Sequence, residues 1–266
     1  MSKIIFLDTE TTTYIVDKAR MWQFAASKYD TETKQNFEIN LYVNVDRYEF
    51  SIDALVKCNP DLSIINSAPQ FKDVAYKIAE FLELNSDNKI IYVAHNAKFD
   101  REILLQEFIS HEIRGVKLDK FKDANNWVDT YKVAMTKYQD ATYNDVNGKD
   151  QQVKLNLSFL YYLYCMDSSK YINFHAADSD VEALKLLFKH LNQWYKLDDM
   201  INISNKPVML TTFRFGKYVG KLISDVVHND IKYIQWMVQN LDSLNPEAEN
   251  FDENLYYSIQ QNIKDL

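Results

Sequence analysis

The chain is short of positive charge. Thirty Lys and Arg stand against 38 Asp and Glu in 266 residues, a net charge of −8. That balance excludes a protein that coats nucleic acid through an overall basic surface, so any anion-binding charge has to be local. Cysteine is scarce as well: Cys58 and Cys165 are the only two, and no metal-finger spacing exists. Both are expected to be reduced, structural thiols in a cytoplasmic chain. No apolar run approaches the roughly 18 residues needed to span a bilayer, and nothing ahead of Ile4 resembles a signal peptide. The expectation is therefore a cytoplasmic protein with no membrane partner. There is no internal repeat. Glycine occurs four times, and two of the four, Gly216 and Gly220, fall in a single short block. What is plentiful is core material: 47% of the residues are hydrophobic, in a length that allows one large domain or one domain plus a small one.

The stretch Lys3–Thr12 concentrates the chemistry. Ile4, Ile5, Phe6 and Leu7 form a continuous apolar run that suits a strand buried on both faces. The run ends in Asp8 and Glu10. On an extended chain, residues i and i+2 point to the same side, so this strand delivers two carboxylates together to its C-terminal end. That is the end where sites in such sheets gather. Two carboxylates so close repel each other, and their oxygens suit a hard divalent ion such as Mg²⁺. A second stretch, Ile90–Leu105, reads as a buried strand, a turn at His95 and Asn96, and a helix carrying Phe99, Asp100, Ile103 and Leu104. A third, His175–Leu191, places Val181, Leu184, Leu187, Phe188 and Leu191 on one helical face, with His175 and Asp180 at its start. Inside one helix those two residues would sit roughly 140° apart. His175 is therefore expected in the preceding loop, reaching back toward Asp180.

These three motifs resemble those of the DEDD exonuclease superfamily. They read Asp8-Thr9-Glu10, then Asn96-Ala97-Lys98-Phe99-Asp100, then His175-Ala176-Ala177-Asp178-Ser179-Asp180. The histidine places the resemblance in the DEDDh branch of the DnaQ-like group; the tyrosine branch would need Tyr where Ala176 stands. Trp127-Val128-Asp129-Thr130 is similar to an internal strand-and-turn of the same family. The resemblance covers roughly residues 3–192. It implies an α/β fold, a ribonuclease-H-like mixed five-stranded sheet flanked by helices. It also implies two divalent cations, Mg²⁺ or Mn²⁺, held by Asp8, Glu10, Asp100 and Asp180, with Asp8 bridging them. Glu10 would further meet the terminal 3′ hydroxyl, Asn96 and Phe99 would contact nucleic acid, and cleavage would run 3′→5′ with release of nucleoside 5′-monophosphates.

The residues themselves support that chemistry. Hydrolysis of a phosphodiester needs an activated water and neutralisation of charge on the attacking and leaving oxygens, which two divalent ions about 4 Å apart supply. Four carboxylates roughly offset the charge of two such ions, so none of them has to act as a base. His175 is the remaining titratable group, and an ordinary value of about 6.5 suits taking a proton at neutral pH.

Elsewhere the chain reads as scaffold. Residues 20–45 predict two antiparallel strands with a turn at 34–36; Phe37, Ile39, Leu41 and Val43 alternate with mostly polar neighbours. Residues 46–68 read as irregular, and 70–84 as a helix with Phe71, Val74, Ile78, Phe81 and Leu82 on one face. Residues 110–126 read as a polar excursion whose Arg114, Lys117, Lys120 and Lys122 face solvent or phosphate. Residues 139–154 read as a hairpin or loop around Asn147-Gly148, and Leu155–Tyr164 as a helix. Asp129 reads as structural and Asp178 as a helix-start residue.

The domain expectation is a DEDDh exonuclease domain over 1–195, a linker over 196–212, a small module over 213–240 and an acidic tail over 241–266. A chain ending at Asn205 is accordingly expected to fold. The module opens with Phe213-Arg214-Phe215-Gly216-Lys217-Tyr218-Val219-Gly220-Lys221 and continues with Asp230-Ile231-Lys232-Tyr233-Ile234-Gln235-Trp236. It resembles the C-terminal module of exonuclease-X-like proteins. Lys206–Asn240 carries a net charge of +3, which leaves −11 on the rest of the chain. Arg214, Lys217 and Lys221 are candidates for nucleic-acid contact, and the alternative is a compact mini-domain with merely solvated lysines. DNA is favoured over RNA as the partner because of the module, in a setting such as DNA repair. An exoribonuclease and an inactive nucleic-acid-binding module stay open. So do a homo-oligomer or a replication or repair partner met through the C-terminal region, and the role of the tail, whose Leu255–Ile263 reads as a short amphipathic helix.

Overall fold

The computed structural model describes residues 2–166, 172–248 and 251–264. The chain divides into two compact units: residues 1–131 with 156–204, and residues 132–155 with 205–266.

The first unit is built on five strands: β1 (Ser2–Thr11), β2 (Met21–Asp30), β3 (Asn36–Tyr42), β4 (Lys89–Ala94) and β5 (Trp127–Asp129). Their order is β3-β2-β1-β4-β5. β2 pairs antiparallel with both β1 and β3, whereas β4 runs parallel to β1 and β5 parallel to β4. This is the mixed five-stranded sheet expected from the motifs. The three parallel strands position the site. Because they point the same way, the residues just past their C-terminal ends converge on one sheet edge.

The period of two along β1 sorts its side chains. Ile5 and Leu7, both fully buried, face a core shared with Phe71, Ile78, Ile103 and Leu104. Phe6 faces the other way and meets Phe188 edge-on, with ring centroids 5.3 Å apart. Asp8 and Glu10 share the face of Phe6.

Helices cover both faces. α1 (Ile52–Cys58) and α2 (Leu62–Ser67) occupy the stretch that the sequence suggested was irregular. Both are capped: the Ser51 hydroxyl accepts the Ala54 N–H, and the Asp61 carboxylate accepts the Ser63 N–H. Helices this short are marginal alone, and α1 buries none of its residues, so no apolar periodicity announced it. α3 (Phe71–Phe81) opens with a capping box between Gln70 and Asp73. α4 (Ala97–Ser110) follows β4. The polar excursion contains α5 (Asp119–Lys122), anchored by fully buried Phe121. α6 (Thr130–Tyr138) follows β5, and the division between units falls in its first turn. α7 (Leu157–Leu160) runs on into a π-helical turn at Tyr161–Cys165. α8 (Ala177–Leu191) buries Val181, Leu184, Leu187 and Leu191, the face its spacing predicts.

The expected linker over 196–212 is not one over its first half. α9 (Leu197–Ser204) buries Met200 completely, and its Ser204 hydroxyl accepts the Asp129 N–H at 2.7 Å. That ties the segment to β5.

The second unit joins parts that the sequence reading kept apart. It contains the hairpin β6 (Thr142–Asn144) and β7 (Asp150–Gln152), then α10 (Ile223–Asn229), α11 (Ile231–Asn240) and α12 (Glu253–Lys264). The tail helix α12 buries Leu255 and Ile259. Its Ser258 hydroxyl accepts the Leu210 N–H at 2.7 Å, and Asn254 accepts the Val208 N–H at 2.7 Å. Gln139, just after α6, donates to the Met209 carbonyl. A chain ending at Asn205 therefore loses the partners of 132–155, contrary to the sequence expectation. It should give lower soluble yield and an earlier thermal transition than the whole chain in a melt followed by circular dichroism. No helix among the described residues is long and apolar enough to cross a membrane.

Candidate active site

Three carboxylates meet at the C-terminal end of β1. One oxygen each from Asp8, Glu10 and Asp180 lie within 4.8 Å of one another. β1 supplies the first two on its Phe6 face; α8, packed on that face, supplies the third from its first turn. A β-bulge directly after Glu10 ends the regular pairing there. Asp100 comes from the other side of the sheet, in the first turn of α4, and is 4% exposed. Thr9, which points away from Asp8 and Glu10, holds it: the Thr9 N–H and hydroxyl both donate to Asp100 Oδ1, at 2.9 and 2.8 Å. Thus β1 carries two of the four acids itself and fixes a third through the residue between them.

The electrostatics of this cluster are unfavourable without a cation. Burial, and then the charges of Asp100, Asp180 and Glu10, push Asp8 well above the usual carboxylate range. Burial raises Glu10 against the pull of the Cys58 thiol and Lys57. Asp100 is pushed up to about 7 by burial even though Thr9 donates to it twice. Asp180 is pushed up to about 7 by burial and by Glu10. Its Oδ1 is buried with no hydrogen-bond partner. Four desolvated acids of one sign, one with an orphaned oxygen, are what a pair of hard divalent ions would satisfy.

The same charges govern stability. Asp100 and Asp180 have folded-state values near 7 against an ordinary 3.8, so between those limits the folded chain holds protons that the unfolded chain has released. Stability of the metal-free protein should therefore fall as pH rises from about 4 to about 7. Thermal midpoints in EDTA should drop across that range. Added Mn²⁺ should raise the midpoint more at pH 8 than at pH 5. A midpoint in EDTA that climbs from pH 5 to pH 8 would contradict this assignment.

The acids line a cleft of about 300 Å³. One wall is α1, which the sequence reading missed and which brings Lys57 and Cys58 to the site. The signals that could have revealed it were Ser51 as an N-cap and Asn59 as a left-handed C-cap, φ 43°. Lys57 is a cation lining the cleft, and its charge lowers the values of Asp8, Glu10, Asp180 and His175. The Cys58 thiol donates to Glu10 Oε2 at 3.2 Å. Burial, with Glu10 beside it, pushes that thiol up to about 12, so it keeps its proton at neutral pH and acts as a donor. Cys58→Ala should weaken Mn²⁺ binding by about tenfold, the low end for a residue that orients a ligand, since S–H is a weak donor. Cys58→Ser should restore it. Titration calorimetry on both variants checks this, and equal losses would show that the thiol acts through packing alone.

His175 lies in the loop before α8, as its spacing predicts. It adopts a left-handed backbone, φ 69°, and its N–H donates to Asp180 Oδ2 at 3.2 Å. Its side chain lines the cleft, and burial, aided by Lys57, lowers it below the ordinary imidazole value. It is thus neutral at pH 7 and able to accept a proton.

A family model described as Exonuclease matches residues 5–188, more than half of the chain. The chain belongs to the exonuclease family. Within that family, the DnaQ-like resemblance read from the three motifs is borne out, and a second model, Exodeoxyribonuclease X-like C-terminal, matches residues 213–242. The chain is 31% identical over 158 residues to Exodeoxyribonuclease 10 of Escherichia coli (strain K12), covering 59% of this chain and 60% of that relative. It therefore spans about three fifths of the length of the curated relative. Among solved structures it is similar to E. coli Exonuclease I in complex with a dT13 oligonucleotide, with TM-score 0.56, 17% identity, and coverage of 73% of this chain and 41% of that one. It is also similar to Exonuclease I (apo), with TM-score 0.57, 16% identity, and coverage of 76% and 44%. At such identities the likeness speaks for the fold.

The other candidate residues of this exonuclease-family chain fall in three places. Phe99 lines the cleft beside Asp100. Asn96 does not line it; it takes a left-handed turn, φ 71°, at the N-cap of α4, and its N–H donates to Asp129 Oδ1. Asp129 also accepts the Tyr131 N–H, a structural use of that acid. Arg214, Lys217 and Lys221 belong to the second unit and are exposed. Lys217 is also committed locally, with its ammonium 3.1 Å from Asp230 and 4.6 Å from the Tyr218 ring centroid.

Proposed function

We propose that this chain is a metal-dependent 3′→5′ exonuclease that acts on DNA and releases nucleoside 5′-monophosphates. The observation that carries the reading is the convergence of Asp8, Glu10 and Asp180 within 4.8 Å in a cleft that His175 and Asp100 also line. Membership of the exonuclease family supports the reaction class. The likeness to a protein named exodeoxyribonuclease supports DNA.

Asp8, Glu10, Asp100 and Asp180 would hold two divalent cations, Mg²⁺ or Mn²⁺, whose charge theirs offsets. When bound, such ions neutralise charge on the attacking and leaving oxygens of a phosphodiester. The rest falls to the chain. His175, neutral at pH 7, accepts the proton of the attacking water. Thr9 fixes the Asp100 carboxylate through two hydrogen bonds, and the Cys58 thiol fixes Glu10. Glu10 reaches the terminal 3′ hydroxyl, and Phe99 offers a ring to the terminal nucleoside. Lys57 brings positive charge to a cleft of acids that must admit a phosphate. Of the three candidate cations Arg214, Lys217 and Lys221 in the second unit, Lys217 is paired with Asp230, and Arg214 and Lys221 are the ones offered to phosphate.

The test compares matched DNA and RNA oligonucleotides, labelled at the 5′ or the 3′ end, with Mg²⁺, Mn²⁺ or EDTA. A 5′-labelled DNA should shorten stepwise, a 3′-labelled one should release labelled mononucleotide at once, and EDTA should stop both. Faster loss of RNA would make the protein an exoribonuclease. Binding without hydrolysis of either would leave a nucleic-acid-binding protein.

A further inference from the structure

The second unit leaves large rings in water. Trp236 is 50% exposed and Phe215 is 42% exposed, although Phe213, two residues away, is buried. α11 explains part of this: Ile234 and Met237 form its buried face, which turns Tyr233 and Trp236, three residues apart, outward together. Those two rings stack, with centroids 5.8 Å apart and planes 26° from parallel. Tyr233 is held from the other side. Tyr218 meets it edge-on at 5.0 Å, and the Lys217 ammonium lies 5.5 Å from its centroid. Asp230 fixes both holders, accepting from the Tyr218 hydroxyl at 2.7 Å and from Lys217 at 3.1 Å. Gly216 completes the fit: its φ is 76°, and a Cβ there would stand 2.9 Å from the Tyr233 hydroxyl. Phe215, exposed, is the residue next to that glycine in the chain.

An ordered row of rings ending in a half-exposed indole has little to do in folding, because the indole gains least from burial when half of it stays wet. As a binding surface it is economical, since rings already locked in place lose little freedom on contact. The charge around it selects the occupant. Exposed cations lie near the rings in the chain: Arg214, Lys221 and Lys232. A partner with flat apolar faces and a polyanionic backbone matches both features. Only a single strand presents its bases for stacking; a duplex keeps them inside.

We infer that Phe215, Tyr233 and Trp236 form a stacking platform that binds single-stranded nucleic acid, with Arg214, Lys221 and Lys232 facing its phosphates. The inference rests on the reading of the chain as a nucleic-acid enzyme. It adds a binding site apart from the carboxylate cleft, made of rings rather than of the cations alone.

The test is equilibrium binding by the full-length protein in EDTA, so that nothing is hydrolysed, using fluorescence anisotropy of a labelled oligothymidylate and of a blunt duplex. Trp236→Ala should weaken binding to the single strand by roughly 5- to 150-fold, the range for loss of one stacked base. Its dependence on salt should stay unchanged, because the ring carries no charge. Trp236→Phe should recover most of the affinity, and the duplex should bind both variants equally. Gly216→Ala, which keeps every charge and every ring, should weaken the single strand as well. Circular dichroism checks that each variant folds; should Trp236→Ala fail to, Gly216→Ala keeps the test decisive, since parental affinity for the single strand in that variant would overturn the platform.

Equal affinity of folded Trp236→Ala and the parent would overturn the platform. So would binding of an acidic peptide in place of the oligonucleotide, or concentration-dependent self-association lost in Trp236→Ala. Since binding is read without metal, the two readings fail separately. Hydrolysis with a Trp236-independent affinity sinks the platform alone, and Trp236-dependent binding with no hydrolysis in Mg²⁺ sinks the exonuclease alone.

Discussion

Asp8→Asn and Asp100→Asn should each reduce hydrolysis of a DNA oligonucleotide by at least about 10³-fold in saturating Mg²⁺. Removing a ligand forfeits several kcal/mol of stabilisation of the charged transition state, and each 1.36 kcal/mol is tenfold in rate. The fold should survive. Asp8 is one of four acids raised by mutual repulsion and burial, so taking away its charge relieves strain in the metal-free chain. Asp100→Asn keeps an oxygen for the two Thr9 donors. Above pH 7, where the parent must ionise Asp100 in a buried place, the asparagine variant should melt higher than the parent in EDTA. The pair of readouts separates a ligand from a structural acid. Loss of activity with a raised midpoint identifies a ligand; loss of both identifies a residue the fold requires. Near-parental turnover by either variant would remove that acid from the proposed metal site.

The second large effect concerns His175. His175→Ala should lower the rate constant by roughly 10²–10⁴, the usual worth of a general base, while affinity for Mn²⁺ stays close to that of the parent. The pH profile carries the sign. A base works only when neutral, so the parent's rate should fall as pH drops through the imidazole's value, which burial and Lys57 hold below 6.5. His175→Ala should lose that acid limb as well as the rate. The histidine N–H that binds Asp180 belongs to the main chain, so the substitution leaves that contact in place. A collapse of metal affinity would mean that the imidazole holds the ion instead of moving a proton.

Much of the candidate site was legible because its parts obey local rules. The alternation of a strand puts Asp8 and Glu10 on one face wherever β1 goes. The position of Asp100 comes from a strand-turn-helix written in consecutive residues, and that of His175 from its place ahead of a helix with an unbroken apolar face. What was lost lay in short elements. α1 fully buries none of its residues and α2 only Ile65, so they show caps in place of a hydrophobic period, and only a period makes a helix plain from its residues alone.

By itself, the sequence determined the buried strands that end in the first motif and lead into the second, the helix that opens with the third, and the chemistry those acids are suited to. Each depends only on backbone geometry over a few residues. The tertiary structure alone decided that Cys58 donates to Glu10 across 48 positions of sequence and that Lys57 enters the same cleft. It decided that residues 132–155 and the α12 tail fold with the C-terminal module. It also decided that Lys217, though exposed, pairs with Asp230. These contacts join segments far apart in the chain. Their energy comes from apolar surface such as Leu255 and Ile259 finding a partner, and composition and spacing record that such surface exists without recording what covers it.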